Sequence, residues 1–250
     1  MANMLQAFPE KTGKERALIA KKFYHNLTDT FVETIKTFSV SKEFLNRRCS
    51  GNFEVIHRLE AKGNSFQIHP AHHFNWEWAN LHYSINFRLP FLAVYMPMSN
   101  KAFEKIFCKN RSKFGSIMLP ATDMRSSFMP WRSKPHILGL VADQNPGHPG
   151  NAFWLHFFNK VTPFVKGPEK SAREKKCAVV FTFIKKVKRG YYHTEFILAT
   201  EDASEFAPGE LTKLYVQSLS ERMKTQPADW LWSHRRWKWD WKPEYGEVIK

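Results

Sequence analysis

Short apolar runs typical of strands alternate with longer runs of helical periodicity along this chain. The strand-like runs are residues 53–56, 66–68, 91–96, 117–119, 136–141, 178–184 and 193–199. Helical periodicity marks residues 100–114 and about 208–224 between them. Strands separated by helices build a parallel sheet through crossover connections, so the pattern predicts an α/β fold. We expect a central mixed, largely parallel β-sheet flanked by helices, with site residues in the loops at strand ends.

The sequence before the first of these strands predicts a helical lead-in over residues 1–48. Residues 12–38 carry an apolar stripe at helical spacing, formed by Leu18, Ile19, Phe23, Leu27, Phe31, Ile35 and Phe38. The stripe is broad and the polar side carries both charge signs, which favours a core-facing amphipathic helix over a membrane-inserting one. No Ser/Gly-rich linker follows, so we expect one domain over residues 1–250, ending in a basic, Trp-rich tail at residues 225–250.

The charge of the chain is strongly positive, because 38 Lys and Arg residues face 23 Asp and Glu residues, a net charge of +15. Nucleic acid, an anionic membrane surface and an acidic carrier protein would all suit such a surface. Three widely spaced cysteines, Cys49, Cys108 and Cys177, fit buried thiols in a reducing compartment. No run reaches the roughly 18 apolar residues of a membrane span, so the chain as given is expected not to cross a bilayer.

The segment A-H-H-F-N-W-E at residues 71–77 is the strongest candidate for chemistry. Pro70 ends the strand-like run before it, and Asn75 suits the N-cap of the helix that follows. His72 would then lie in the loop and Glu77 in the first helical turn, where their side chains can meet. A carboxylate that orients one ring nitrogen leaves the other as a general base for a substrate hydroxyl. The alternative is a coincidental spacing, since the chain has 11 histidines.

Residues 71–77 resemble the H-x4-D/E block of the lysophospholipid acyltransferase superfamily, and more narrowly the G-H-F-G-N-W-E form of bacterial lipid A late acyltransferases. The resemblance puts the two catalytic positions on His72 and Glu77. The segment departs from the family at Ala71, usually Gly, and at the two residues after His72, usually Phe-Gly. The Asn-Trp-Glu end sets the register and selects His72 over His73, which would be a packing or substrate-facing neighbour.

Further stretches follow in the family's order. Residues 100–115 resemble its second block, whose arginine falls on Arg111, and residues 142–144 resemble its A-D-Q segment. Residues 165–172, V-K-G-P-E-K-S-A, resemble the block after it. The substrate-binding candidates are Arg111, Asn75, Asp143, Gln144, Gly167 and Glu169. The planar fork of Arg111 suits a phosphate or a polarised carbonyl, with a solvated helix-end charge as the alternative. For Asp143, a role as strand cap or loop anchor ranks slightly ahead of a role in the site.

The tail W-L-W-S-H-R-R-W-K at residues 230–238 is close to the family's terminal W-x-W-x-H-R-R-W-K signature. Interleaved indoles and cations suit a lipid headgroup layer. The predicted membrane-facing residues are Trp232, Arg235, Arg236, Trp237 and Lys238. Two alternatives stay open: indoles that pack onto the domain while the cations stay in water, and indoles that stack on nucleic-acid bases.

The resemblance covers nearly the whole chain, is nearest to Bacteroidetes-type members and implies a glycerolipid acyltransferase-like fold. It implies transfer of a fatty acyl chain from an acyl carrier protein, or another thioester, to a hydroxyl or amine of a lipid A-like glycolipid or another membrane lipid. His72 would be the base, oriented by Glu77, with no cofactor, no metal and no nucleic acid expected.

The same resemblance implies work at the cytoplasmic face of the inner membrane, against an anionic membrane surface. Family members usually carry a hydrophobic anchor before the F-P-E segment, which here begins at Phe8. We therefore expect either peripheral association or a start that omits the anchor.

Two other functions compete with the acyltransferase. A non-catalytic basic and aromatic module could bind an anionic membrane or nucleic acid, and its binding would depend steeply on salt. A metal hydrolase could use His69, His72, His73 and Glu77, although the H-E-x-x-H spacing is absent.

Overall fold

In the computed structural model, which describes residues 2–249, helices and strands alternate along the chain. The helices are α1 (Ala2–Ala7), α2 (Gly13–Lys36), α3 (Lys42–Arg48), α4 (Glu54–Glu60), α5 (Trp76–Asn86), α6 (Lys101–Arg111), α7 (Met124–Phe128), α8 (Gly167–Glu174) and α9 (Glu210–Thr225). The strands are β1 (Cys49–Gly51), β2 (Phe66–Pro70), β3 (Phe91–Tyr95), β4 (Ile117–Pro120), β5 (Ile137–Gly139), β6 (Ala152–Phe157), β7 (Lys160–Val165), β8 (Val179–Lys188), β9 (Tyr191–Thr200) and β10 (Val248–Ile249). Across residues 2–249, no helix combines the length and the apolar character that crossing a bilayer requires.

The main sheet has seven strands in the order β1-β9-β8-β2-β5-β3-β4. The five strands from β8 to β4 run parallel to one another, whereas β9 runs antiparallel to β8 and β1 runs parallel to β9. Helices α5 and α6 connect successive strands of the parallel part. The predicted α/β fold with a mixed, largely parallel sheet is therefore confirmed.

Three parts of the sheet architecture differ from the prediction, and the first is the short edge strand β1, which lies where no strand was expected. Residues 53–56 were expected as a strand but lie at the start of helix α4, which buries Ile56 and Leu59 on one side. An apolar run of four residues is too short for its periodicity to distinguish a helix from a strand. A second sheet, β10-β6-β7, was not predicted, and its strand β7 contains Pro163, a residue that normally argues against a strand.

Helix α2 presents a different side to the core from the one predicted. It begins with a capping box, in which Thr12 and Glu15 bond each other's backbone N–H groups. Of its apolar stripe, Phe23 is buried, but Phe31 and Ile35 are 65% and 72% exposed. The buried side carries Asp29 and Glu33 instead. The prediction that the apolar stripe faces the core is therefore wrong for Phe31 and Ile35, because in this part of α2 polar side chains face the domain.

The tail after α9 packs into the core. Trp230, Trp232 and Trp237 are buried in the same cluster as Phe157 of β6. Arg236 is completely buried, stacked over Phe164 at 4.1 Å and hydrogen-bonded to backbone and amide oxygens. The predicted membrane-facing role is therefore wrong for Trp232, Arg236 and Trp237. Arg235 and Lys238 remain exposed. Of the alternatives, the packing of indoles onto the domain is the one observed.

Glu169 of α8 caps the start of α9. Its buried carboxylate accepts hydrogen bonds from the backbone N–H of Gly209 at 2.5 Å and of Thr212 at 2.8 Å, and from the Thr212 hydroxyl at 2.6 Å. A carboxylate at a helix N-terminus satisfies backbone donors that the helix itself leaves free.

Replacing Glu169 by Ala should therefore lower the free energy of unfolding by about 2–3 kcal/mol, because the N–H groups of Gly209 and Thr212 lose their buried acceptor. Urea denaturation followed by circular dichroism measures the change. As a control, Glu174→Ala removes an exposed carboxylate of the same helix, 3.8 Å from Lys170, and should cost less than about 0.5 kcal/mol. Equal stability of Glu169→Ala and the wild type would contradict the capping role.

Candidate active site

His72 and Asp143 follow two neighbouring parallel strands. β2 pairs with β5 in the register that sets Ile68 beside Gly139. His72 is the fourth residue after Ile68, and Asp143 is the fourth after Gly139. Beyond the end of β5, the backbone N–H groups of Leu140 and Ala142 donate to the carbonyls of Ile68 and Pro70, so the pairing with β2 continues toward Asp143. The equal offsets bring both residues together at the carboxyl edge of the sheet, where parallel sheets bind ligands.

The Asp143 carboxylate is completely buried and accepts three hydrogen bonds. Oδ1 lies 2.6 Å from His72 Nδ1. Oδ2 accepts from the His72 backbone N–H at 2.9 Å and from Trp230 Nε1 at 2.8 Å. Burial by itself raises the pKa of Asp143, but the adjacent His72 and the hydrogen bonds lower the pKa well below its usual range. Asp143 is therefore ionised at neutral pH and can only accept hydrogen bonds.

The ionised Asp143 determines which nitrogen of His72 carries the proton. Because a carboxylate has no proton to donate, the hydrogen bond requires Nδ1–H on the ring. A neutral ring then has a lone pair on Nε2, which lies 3.2 Å from the side-chain amide nitrogen of Gln144. The His72 side chain is partly exposed to the adjoining cavity. Nε2 is thus the atom that can take a proton from a substrate.

Glu77 makes a different contact from the predicted one. Its carboxylate accepts from Arg111 Nε at 2.9 Å and from Nη2 at 2.5 Å, and Trp76 Nε1 donates to it at 3.2 Å. The planar guanidinium of Arg111, at the end of α6, matches the geometry of the Glu77 carboxylate in the first turn of α5. The expected orientation of His72 by Glu77 is therefore corrected, because Asp143 is the carboxylate bonded to the ring.

Asn75 is the N-cap of α5, as predicted. Its side-chain oxygen accepts from the backbone N–H groups of Glu77 and Trp78, and its amide donates to Glu33 at 2.9 Å. The residue is completely buried. These contacts use both ends of the amide within the protein, so Asn75 shapes the segment that carries His72 and does not face the cavity.

A cavity of about 410 Å³ opens beside the His72 ring. His72, Glu77, Arg111 and Gln144 contribute polar groups to its lining. Its apolar lining includes Tyr83, Phe91, Ala93, Met96, Met118 and Ile184. A concave, mostly apolar space with a few convergent polar groups is typical of a small-molecule site, and this one is suited to a hydrocarbon chain with a polar reacting end.

A second cavity, of about 640 Å³, lies at the opposite edge of the sheet, where strands β2, β5 and β8 begin. It is lined by several cations, among them Lys62, Arg132 and Lys175. His72, Asp143 and Glu77 are not part of its lining. Although it is larger, it therefore lacks the hydrogen-bonded His72–Asp143 pair.

The two histidines nearest His72 in sequence are buried without charge. Burial lowers the pKa of His73 to about 4 and that of His69 to about 3. The His73 ring packs edge-on against Phe183, which agrees with a packing role. Among residues 2–249, no three His, Cys, Asp or Glu side chains come together as a metal-ligand group.

The tail holds the loop that carries Asp143. Trp230 donates to the Asp143 carboxylate, and Arg236 Nη1 donates to the side-chain oxygen of Asn145 at 2.9 Å. The Asn145 amide in turn donates to the backbone oxygen of Arg235 at 2.6 Å. The W-x-W-x-H-R-R-W-K stretch therefore contacts the A-D-Q stretch directly. Gly167, by contrast, is an exposed residue at the start of α8 and, like Glu169, is not among the cavity-lining residues.

A histidine whose Nε2 can accept a proton, beside an apolar cavity, suits the class of enzymes that activate a substrate hydroxyl next to a long hydrocarbon chain. Comparison with protein families agrees with this class. The sequence model of the bacterial lipid A biosynthesis acyltransferases matches residues 1–239, and the chain belongs to that family. It is an acyltransferase for lipid A-like substrates, with an acyl donor and a lipid acceptor. Comparison with curated proteins gave no match.

Sequence reasoning underestimated Asp143 and missed Trp230 as residues of the site. The signal for Asp143 was present, because an acidic residue directly after a buried strand is expected at the edge where parallel sheets bind ligands. The signal for Trp230 was not, because 87 residues separate it from Asp143.

Trp230→Phe should keep the fold and lower kcat about 10-fold with KM little changed, because the Asp143 carboxylate loses one of its three donors. Steady-state acyl-transfer kinetics measure this effect. Trp154→Phe is a matched control: Trp154 is equally buried and donates its indole N–H to the Pro149 carbonyl at 3.2 Å, away from His72. Equal loss of kcat in both variants would contradict the role of Trp230 in positioning Asp143.

Proposed function

We propose that the protein transfers a fatty acyl chain from an acyl carrier protein, or another acyl thioester, to a hydroxyl or amine of a lipid A-like glycolipid or another membrane lipid. The hydrogen bond of 2.6 Å between His72 Nδ1 and Asp143, beside an apolar cavity, is the observation that carries the proposal. The family match supports acyl transfer to lipid A-like acceptors. The net charge of +15 suits both an acidic carrier and anionic lipid.

His72 acts as the general base in this proposal. Nε2 takes the proton of the acceptor hydroxyl while its oxygen attacks the thioester carbonyl carbon, so no protein nucleophile is needed. Asp143 keeps the proton on Nδ1 and stabilises the imidazolium that forms. The amide of Gln144 lies near Nε2 in the free protein, so the acceptor hydroxyl would replace it.

The second half of the reaction returns the proton. The tetrahedral intermediate expels the thiolate as its carbon–sulfur bond breaks, and the imidazolium of His72 protonates the leaving sulfur. The new ester or amide then carries the acyl chain, and the histidine is neutral again. No acyl-enzyme intermediate and no cofactor take part in this sequence.

Arg111 is proposed to bind a negative charge of the substrate. Glu77 occupies Nε and Nη2 of the guanidinium, and no residue from 2 to 249 accepts a hydrogen bond from Nη1. Glu77 also raises the pKa of Arg111 against the opposing effect of burial, so the cation persists at the cavity wall. The free N–H groups suit an acceptor phosphate or the oxygen of the attacked carbonyl.

The proposed place of action is the cytoplasmic face of the inner membrane, where an acyl donor and a lipid acceptor would meet. The apolar cavity beside the His72 ring supports binding of a hydrocarbon chain. Exposed cations such as Arg235 and Lys238 of the tail would lie near lipid phosphates.

Acyl transfer from a labelled panel of acyl carrier proteins to extracted lipids tests the proposal. His72→Ala should lower kcat/KM by roughly 100-fold to 10⁴-fold, because the base is lost. Asp143→Asn should lower kcat by a similar factor, since an amide favours the other tautomer of the ring. Glu77→Gln should act mainly on KM, because it disturbs Arg111 and leaves the Asp143 contact intact.

His156→Ala serves as a control, because His156 is exposed on β6 in the small sheet and should retain wild-type rates. All variants need a circular dichroism spectrum like that of the wild type. Full activity of His72→Ala would end the base assignment. A loss of kcat in Glu77→Gln together with a mild effect in Asp143→Asn would restore the pairing that the sequence predicted.

Ala93 on β3 offers a test of the cavity as the acyl-chain site. Ala93→Phe should shift the donor preference toward shorter chains and lower kcat/KM for the preferred wild-type donor about 10-fold, because about two methylene groups lose their burial. Competition between acyl carrier proteins of different chain length measures the shift. Ala207→Phe, an exposed position after β9, should leave the preference unchanged. An unaltered preference in Ala93→Phe would place the chain elsewhere.

A further inference from the structure

The outer side of α2 carries large apolar side chains that nothing in residues 2–249 covers. Tyr24, Phe31, Ile35 and Phe38 are all more than half exposed. Their spacings of seven, four and three residues put them on one side of the helix, and Phe38 lies just past its end. A stripe of this kind is costly in water, where exposed apolar residues normally occur singly.

Helix α6 continues the apolar surface. Phe103 and Ile106, three residues apart, are 58% and 48% exposed. Asn110, four residues after Ile106 on the same side, donates to the hydroxyl of Thr37, the residue before Phe38. The ends of α2 and α6 therefore lie together, and each helix carries one of the two stripes. We name Tyr24, Phe31, Ile35, Phe38, Phe103 and Ile106 the docking face.

The inner side of α2 is tied to the catalytic segment. Glu33 accepts from the Asn75 amide at 2.9 Å, and its backbone oxygen accepts from Trp78 Nε1 at 2.9 Å. Arg111 is the last residue of α6 and lines the cavity. Met96 lines the cavity as well and is 71% exposed. The docking face thus belongs to the two helices that border the site.

Charge around the docking face is mostly positive, and Glu104 of α6 is paired with Lys101 at 3.0 Å. The exposed cations on α2, on α6 and just after α6 include Lys21, Lys36, Lys105, Lys109 and Lys113. The carboxylates of the second half of α2 point the other way: Asp29 pairs with Lys186 and Arg189, and Glu33 is buried. Lysines around an apolar surface complement anionic lipid, at about 1 kcal/mol for each cation near the headgroups.

We propose that the docking face binds the surface of an anionic lipid bilayer, with its apolar side chains among the lipids and the lysines at the headgroup phosphates. A second copy of the chain fits less well, because a face-to-face contact would bring like charges together. The position of Met96 and Arg111 lets a lipid substrate pass from the bilayer to the cavity. The passage of a lipid substrate to the cavity rests on the proposed function, whereas the binding of the docking face to the bilayer does not.

Co-sedimentation of the full chain with phosphatidylglycerol-containing vesicles tests the proposal. The triple variant Phe31→Ser, Ile35→Ser and Phe38→Ser should partition about 100-fold more weakly than the wild type, because three inserted side chains are lost. Phe103→Ser with Ile106→Ser, on the other helix, should weaken partitioning about 10-fold. The control exchanges Leu5, Met129 and Val187, which are exposed apolar residues of other elements, for Ser and should bind like the wild type.

Wild-type binding by both docking-face variants would overturn the proposal. A second outcome would also overturn it: the wild type is a dimer in analytical ultracentrifugation, and the triple variant is a monomer that binds vesicles as well as the wild type. The docking face would then bind a second copy of the chain. Transfer assays separate this proposal from the proposed function. The triple variant should keep activity on detergent-dispersed substrate and lose it on vesicles. An inactive wild type that still binds vesicles through the docking face would overturn the proposed function alone.

Discussion

The buried carboxylate of Asp143 depends on donors from distant parts of the chain. The backbone and ring of His72 approach it from the end of β2, and the indole of Trp230 approaches it from the tail. A buried carboxylate without donors would be neutral, because burial raises its pKa; with these donors its pKa is lowered. The charge that keeps the His72 proton on Nδ1 thus exists only when the sheet, the loop after β5 and the tail are all in place.

Helix α2 links this site to the surface of the protein. Its inner side holds Asn75 through Glu33, and Asn75 caps the helix that presents Glu77 to Arg111. Its outer side is apolar and exposed. From residue 29 to residue 36, polar groups inside and apolar groups outside reverse the usual pattern of a helix on a globular domain. A lipid bilayer as the medium outside the docking face accounts for that reversal and for the cations around it.

Local signals in the sequence predicted much of the fold. Pro70, the N-cap Asn75 and the apolar runs of β2, β3 and β5 act over a few residues, and these elements lie where the sequence indicated. The pairing of His72 could not be predicted in this way, because it depends on the order and register of β2 and β5. The prediction for the tail was wrong for a related reason. Alternating indoles and cations suit a membrane surface and a protein core equally, and only the three-dimensional packing around Arg236 shows that this tail lies in the core.

The tautomer of His72 is the most direct test of the central claim, that Asp143 makes Nε2 the base. Two-dimensional ¹⁵N–¹H NMR of the histidine rings, recorded at a pH where the rings are neutral and with His72→Ala to assign the signals, distinguishes a protonated from an unprotonated ring nitrogen. The contact of 2.6 Å predicts a His72 ring with Nδ1 protonated and Nε2 free, and loss of that preference in Asp143→Asn. A His72 ring protonated on Nε2 in the wild type, or one that Asp143→Asn leaves unchanged while Glu77→Gln alters it, would contradict the claim.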